Sequence, residues 1–328
     1  MLAKRIPQAI IVFSVGVVLH LTLPATALAQ ALVPEKGDGS VSVTYQKTDV
    51  RYHYDSTGAK EDKGQIHTHI TITALEYGLT DKLALDFDLA YVASKWDRPQ
   101  GPLGVRPHGP LDNGFFHPMF QDAHVGLRYN VARRRLLVTP FIGVTIPTHD
   151  YEVRGHSAVG RGFHELLVGV NVGRRLGPIL PNGYFHVRYS YAILKRFAGL
   201  NLNRSNADWE IGWFARRSIA LRFICSWQKT HGGLNFLPSI KLTPDEFDIH
   251  DRVARSSFIQ LGGGVTFSVN RSFDIHAAYA PAPVYARNAH GDKGIVIGFS
   301  WRFSRDSRDR IAANTSSSRL PGVGQGMF

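Results

Sequence analysis

Apolar and polar residues take turns along most of this chain. Between Leu83 and Tyr91 the apolar positions are Leu83, Leu85, Phe87, Leu89 and Tyr91, and Ala84, Asp86, Asp88 and Ala90 lie between them. A period of two is a β-strand with one greasy face and one polar face. Two aspartates on one strand face are unusual for a soluble sandwich and suit a wall with lipid on one side and water on the other. The pattern recurs in about twelve segments between Gly39 and Phe303. The first opens on Val41, Val43 and Tyr45 and shifts phase before Val50, Tyr52 and Tyr54, which predicts a bulge or the strand's outer end. The second runs through Ile66, Ile70 and Ile72, with His67, His69, Thr71 and Thr73 opposite. Pro140 interrupts the fifth and is expected to weaken one ladder bond. The polar faces of the later segments contribute Arg128, Glu165, His186, Arg188, Asp208, Glu210, Arg222, Gln260, Asp274, His276 and Arg302.

The connections alternate in length. Short turns fall near Thr80, Arg133, Gly177, Arg217 and Asn270, and longer Gly-, Pro- and His-rich links fall between them, the longest near 97–121 and 230–252. An even number of strands with this asymmetry predicts an all-β fold: a transmembrane antiparallel β-barrel of about 12 strands with short periplasmic turns and long extracellular loops. Lipid offers the backbone no hydrogen-bond partner, so a sheet within it must close on itself. The small inward residues Gly126, Gly143, Gly169, Gly212, Gly262, Gly264 and Gly298 are expected to keep the lumen from filling. The rival is a soluble periplasmic β-sandwich, which would not need an apolar face on nearly every strand.

The ends read differently from the middle. Lys4 and Arg5 precede an apolar run from Ala9 to Leu23, and Ala27-Leu28-Ala29 fits a small-x-small cleavage site. The expected organisation is therefore a signal peptide over 1–29, the barrel over 30–303 and a disordered periplasmic tail over 304–328, in the outer membrane of a Gram-negative bacterium. Phe299, Trp301 and Phe303 end the last segment, the kind of aromatic closure that barrel assembly machinery reads. The formal charge of +12 falls to +10 once Lys4 and Arg5 are removed. Export argues against nucleic acid, leaving outer-membrane lipid, lipopolysaccharide or an acidic small-molecule solute as partners. Cys225 is the sole cysteine and alternates with Phe223 and Trp227, so it reads as a small apolar strand residue.

Three pieces of the chain share a further pattern: Tyr77-Gly78-Leu79-Thr80-Asp81-Lys82-Leu83-Ala84-Leu85, Asp122-Ala123-His124-Val125-Gly126-Leu127-Arg128-Tyr129, and Ile146-Pro147-Thr148. Together they resemble the outer-membrane barrels of the meta-pathway phenol-degradation family. The resemblance spans most of the chain from Ser40 to Phe303. Gln121 stands where that family has glycine before the aspartate, and His149 where it has glycine after Pro-Thr. The resemblance implies an outer-membrane channel or transporter for uptake or efflux of small molecules, aromatic or hydrophobic ones among them. It carries no catalytic residues with it.

Candidate chemistry adds little. A lipid esterase on a barrel needs a Ser–His pair near the rim with a third polar group to orient the histidine. Arg204-Ser205-Asn206 has no adjacent histidine, and His156-Ser157 sits in a loop. His67 and His69 share a face and could bridge a metal, although polar lumen or loop positions accept histidine without one. His149, His156 and His164 gather around one loop, and Asp245, Glu246, Asp248, His250 and Asp251 form an acidic loop patch that matches no known cation loop. No metal and no cofactor is assigned, and no enzyme activity is expected. The candidate site is the inward set: Asp86, Asp88, Arg128, Glu165, His186, Arg188, Asp208, Glu210, Arg222, Gln260, Asp274, His276 and Arg302. These charges either line a water-filled pore or pair across the lumen and seal it, the second giving a structural or surface-interaction barrel.

Overall fold

The computed structural model describes residues 31–97, 109–133, 136–236 and 248–304. The expected leader over 1–29, the tail beyond Ser304, and Asp245 and Glu246 of the acidic patch lie outside the described residues.

Twelve strands make the wall. They are β1 (Gly39–Tyr54), β2 (Gln65–Thr80), β3 (Leu83–Asp97), β4 (His117–Tyr129), β5 (Leu137–Pro147), β6 (Glu165–Arg175), β7 (Gly183–Leu194), β8 (Arg204–Arg216), β9 (Ile219–Thr230), β10 (Ser257–Ser268), β11 (Phe273–Ala280) and β12 (Ala289–Phe303). Each pairs antiparallel with its sequence neighbours, and β12 pairs with β1, so the sheet closes into a barrel. The alternation is the cause. Phe223, Trp209, Ile211, Ile297 and Phe299 stand exposed on the outside, where only a lipid surface suits so much apolar area. The bulge expected in β1 is a register shift between Val50 and His53. Pro140 sits opposite Val170 with its side chain outward.

The seam between the first and last strands closes on a glycine. Gly39 lies opposite Phe303 on one side and Tyr77 on the other. The two rings stack across it with centroids 6.5 Å apart, and a Cβ on Gly39 would run into the Phe303 ring.

β2 departs from the expected phase. Ile66, Ile70 and Ile72 are buried inside, and His67, His69, Thr71 and Thr73 face outward. The pairing explains this: Ile70 lies beside inward Gln46 and Val92, and Thr71 beside outward Tyr45 and Tyr91. Packing against inward-folded loops claims these isoleucines. Tyr151 and Val159, from the loop between β5 and β6, bury themselves against Ile70, Ile72, Ala90 and Val92. Likewise Phe236, Val253 and Ala254, from the connection between β9 and β10, pack on Ile224, Phe258, Ala278 and Val296. The upper half of the lumen, at the long-loop end, is therefore occupied by loops, which cover these apolar wall residues and bury polar groups beside them.

Candidate functional site

The charged set lies mostly in the lower half of the lumen, at the short-turn end. Arg128 of β4 is 3% exposed and holds two acids. Its Nε donates to Asp86 at 2.7 Å, and its second terminal nitrogen pairs with Glu76. Asp88 accepts from His124 at 3.1 Å. Across the lumen, Asp208 and Arg188 are register partners on β8 and β7. Asp208 also accepts from the Ser226 hydroxyl at 2.8 Å, and the Arg188 guanidinium sits 4.0 Å over the Phe141 ring. Glu210 accepts from the Tyr184 hydroxyl at 2.6 Å and faces Arg222 at 3.5 Å. His186 is buried opposite Glu210 in the register. Asp274 takes two bonds from Arg302 at 2.7 and 3.2 Å, and Arg302 is partly exposed at the mouth. His276 lies 3.4 Å from the Thr44 hydroxyl.

Two members lie higher up. Glu165 begins β6 and binds Arg204 at 2.5 Å, and Gln260 donates to the carbonyls of Pro281 and Asp292 at 2.8 and 2.9 Å. The thirteen residues thus share the inner face, though at different heights.

Glu76 belongs with them and escaped the sequence reading. The hairpin turn after Thr80 places Glu76 directly opposite Asp86. A turn centred on Asp81 predicts that pairing, so the signal was present. The N-terminal segment was missed as well. Residues 31–38 do not hang below the barrel. Ala31 and Val33 are buried inside it. The Ala31 carbonyl accepts from Thr139 at 2.6 Å and Asn130 at 3.4 Å, and the Leu32 carbonyl accepts from Arg128 at 3.4 Å. The Gly78 carbonyl accepts from the Gly37 amide and the Gly78 amide donates to the Asp38 carbonyl, each at 2.9 Å, and Asp81 accepts from the Lys36 amide at 3.0 Å. The segment therefore runs from β1, past β2 and β4, to β5 at the short-turn mouth. Gly78 has no Cβ because one would strike the carbonyls of Pro34 and Glu35.

The inward glycines do not leave free space, contrary to expectation. The Tyr184 ring lies over Gly212, the Phe141 ring over Gly169, and the His276 ring over Gly298. Small residues on one strand accommodate large rings from the next.

The other candidates resolve individually. His67 bonds Asp49 at 2.6 Å and lies 3.3 Å from Asp97, and His69 bonds the Tyr45 hydroxyl at 2.6 Å, all on the outer face. The two histidines turn to different partners and do not form a bridging pair. Ser157 donates to Asp112 and to the Leu111 carbonyl, each at 2.9 Å, while His156 bonds Asp112 rather than Ser157. Ser205 does meet a histidine: its hydroxyl lies 2.7 Å from Nε2 of His231, brought from the end of β9. The Tyr189 hydroxyl also reaches Ser205 at 3.0 Å. Ser205 is buried, and among the described residues no carboxylate or amide bonds the other nitrogen of His231, so the pair lacks an orienting group.

In the loop after β5, Glu152 takes bonds from Arg154 at 2.9 and 2.7 Å and from the amides of Val153 and Arg154 at 3.0 Å. The Arg154 guanidinium, helped by the two backbone amides, holds its carboxyl down at about 2 against the opposing effect of burial.

Among solved structures, the chain is similar to an outer membrane channel from Pseudomonas putida F1, with a TM-score of 0.63 and 12% identity over 83% of this chain and 98% of that one. It also aligns with the translocator domain of the autotransporter NalP from Neisseria meningitidis (TM-score 0.47, 12% identity, 85% of this chain and 93% of that one). A third alignment is with the CymD monoaromatic hydrocarbon channel (TM-score 0.42, 9% identity, 90% of this chain and 94% of that one). No family model and no curated relative matches the chain, so the resemblance to the meta-pathway barrels has no such match behind it. The first likeness is one of fold: a twelve-stranded antiparallel closed barrel.

Proposed function

We propose that this barrel is an outer-membrane channel of a Gram-negative bacterium that passes small molecules passively, aromatic or hydrophobic ones among them. One observation carries the reading: charges of both signs, contributed by several strands, share the inner face. The lower half holds both signs of charge, with Glu76, Asp86 and Asp88 on β2 and β3, and Arg188 and Arg222 on β7 and β9. Higher up, Ile70, Ile72, Val92, Ile224 and Phe258 are covered by the inward-folded loops. Charges of opposite sign across a narrow lumen set a transverse field that selects and orients solutes. The resemblance to the meta-pathway barrels favours a solute with an apolar body. In this reading Asp86, Asp88, Arg128, Glu165, His186, Arg188, Asp208, Glu210, Arg222, Gln260, Asp274, His276 and Arg302 are pore-lining residues. Phe299, Trp301 and Phe303 are the residues presented to the barrel assembly machinery, the outer wall contacts lipid and lipopolysaccharide, and the leader is cut near Ala29.

A second reading is a sealed structural or surface-interaction barrel. It is favoured by the segment at 31–38 in one mouth and the folded-in loops at the other. Planar-bilayer recording and liposome swelling of the refolded protein separate the two. The channel reading expects discrete conductance steps and solute uptake, either from the intact chain or from a chain lacking residues 31–36. Neither conductance nor uptake in both would sink it.

A further inference from the structure

Four imidazoles meet inside the long-loop end, and neither the wall nor the lumen chemistry uses them. His53 lies near the end of β1 and His290 near the start of β12. His156 comes from the loop after β5, and His250 opens the short helix α1 (His250–Val253) between β9 and β10. None is more than 4% exposed. Their ring centroids are 4.4 Å apart for His53 and His290, 5.7 Å for His53 and His156, and 5.4 Å for His156 and His250. Imidazoles sharing one tetrahedral or right-angled divalent ion, bound through nitrogens about 2.1 Å away, have centroids roughly 4.5–5.5 Å apart.

Two further observations point to a ligand. His53 is wholly buried, yet neither of its ring nitrogens has a hydrogen-bond partner, and the same holds for Nε2 of His290 and one oxygen of Asp292. Unmade bonds on buried polar atoms are costly, so such a concentration calls for an occupant. Meanwhile Asp112 accepts from Nδ1 of His156 at 2.8 Å and from its backbone amide at 2.9 Å. A carboxylate on Nδ1 leaves the lone pair on Nε2 and fixes the ring, the arrangement that supports histidine ligands in metal sites. Trp96 stacks on the same ring at 5.4 Å and 14°, and Phe236 meets His250 edge-on at 5.8 Å. Asp251 lies 2.9 Å from Nε2 of His250, so an acid stands beside the cluster to balance a cation.

We propose that His53, His156, His250 and His290 bind one first-row divalent transition ion of the zinc class, with Asp112 as the residue that positions His156. Among the described residues no three donors already converge on one point, so binding turns the rings of His53, His250 and His290 about χ2 towards the held ring of His156, while the strands and loops hold the backbone. The ion would tie the β1–β12 seam to both inward-folded connections.

The test uses the refolded full-length protein, stripped with chelator and equilibrated with zinc chloride. Metal analysis after dialysis is expected to give one zinc per chain and a raised Tm. His53→Ala and His156→Ala should abolish retention or weaken it at least tenfold, whereas His69→Ala on the outer face should not. Heat-modifiable migration on gels reports whether each variant still forms the barrel, and His53→Gln provides a milder substitution if the alanine does not. Cobalt(II) in place of zinc should show the strong visible bands of a four-coordinate nitrogen site. No retained zinc, or retention that survives loss of His53 in a folded barrel, overturns the proposal and assigns the space to water.

Discussion

Arg128 and Asp86 face each other across the β3–β4 ladder, 2.7 Å apart, and the same guanidinium pairs with Glu76 on the next strand. One cation thus holds two acids that are direct cross-strand neighbours. Removing it leaves like charges side by side in a poorly hydrated place. Arg128→Gln is expected to cost about 3–5 kcal/mol, read as a lower urea midpoint for unfolding in vesicles. Adding Glu76→Gln should recover part of that loss. If the single variant unfolds at the wild-type midpoint, the triad contributes no stability.

The segment at 31–38 predicts an opening. A chain lacking residues 31–36 should conduct several times more current than the intact chain, because a carbonyl-bonded strap leaves the short-turn mouth. Gly78→Ala tests the same contact without shortening anything, since its Cβ would displace the Pro34 and Glu35 carbonyls. The two variants should shift conductance in the same direction. Unchanged currents in both would mean the segment does not limit flow.

The loop after β5 should loosen in acid. Glu152 has a folded value near 2 against an ordinary 4.5, so its contribution is present above 4.5 and is lost as pH falls towards 2. The pair is partly exposed, and solvent screening reduces its worth to about 1 kcal/mol. Protease cutting or hydrogen exchange within 150–155 should rise over that pH window in the wild type. The Glu152→Gln variant should show little further change.

Cys225 offers a check on which face is outside. It pairs with Trp209 and lies on the outward side of β9 with Leu221 and Phe223. A nitroxide placed there in the refolded barrel should relax faster with oxygen than with a water-soluble nickel chelate. The opposite ranking would put that side of the strand in water.

The wall was legible because lipid imposes the same demand on almost every strand. Leu83 to Tyr91 and Ile295 to Phe303 declare their faces with no knowledge of their neighbours. What escaped depends on contacts distant in sequence. Ile70 and Ile72 turn inward because Tyr151 and Val159 reach them from another loop. His231 meets Ser205 only because β8 and β9 return to one edge. Alternation distinguishes the two faces of β2 but does not say which is inside when both are half apolar. The inward charges were readable as a set. Their partners went unread, Glu76 among them, although the turn after Thr80 places it opposite Asp86.

Gly39 beside Phe303 brings the beginning and end of the wall together. Every other ladder of the wall joins strands consecutive in sequence, and such hairpins can form locally. The β1–β12 ladder cannot form until nearly the whole chain has been gathered, so its closure entropy falls at the latest stage of folding. Until then two long strand edges stand unpaired and open to the wrong neighbour. The aromatic stack over one glycine is therefore a latch set where the last ladder closes.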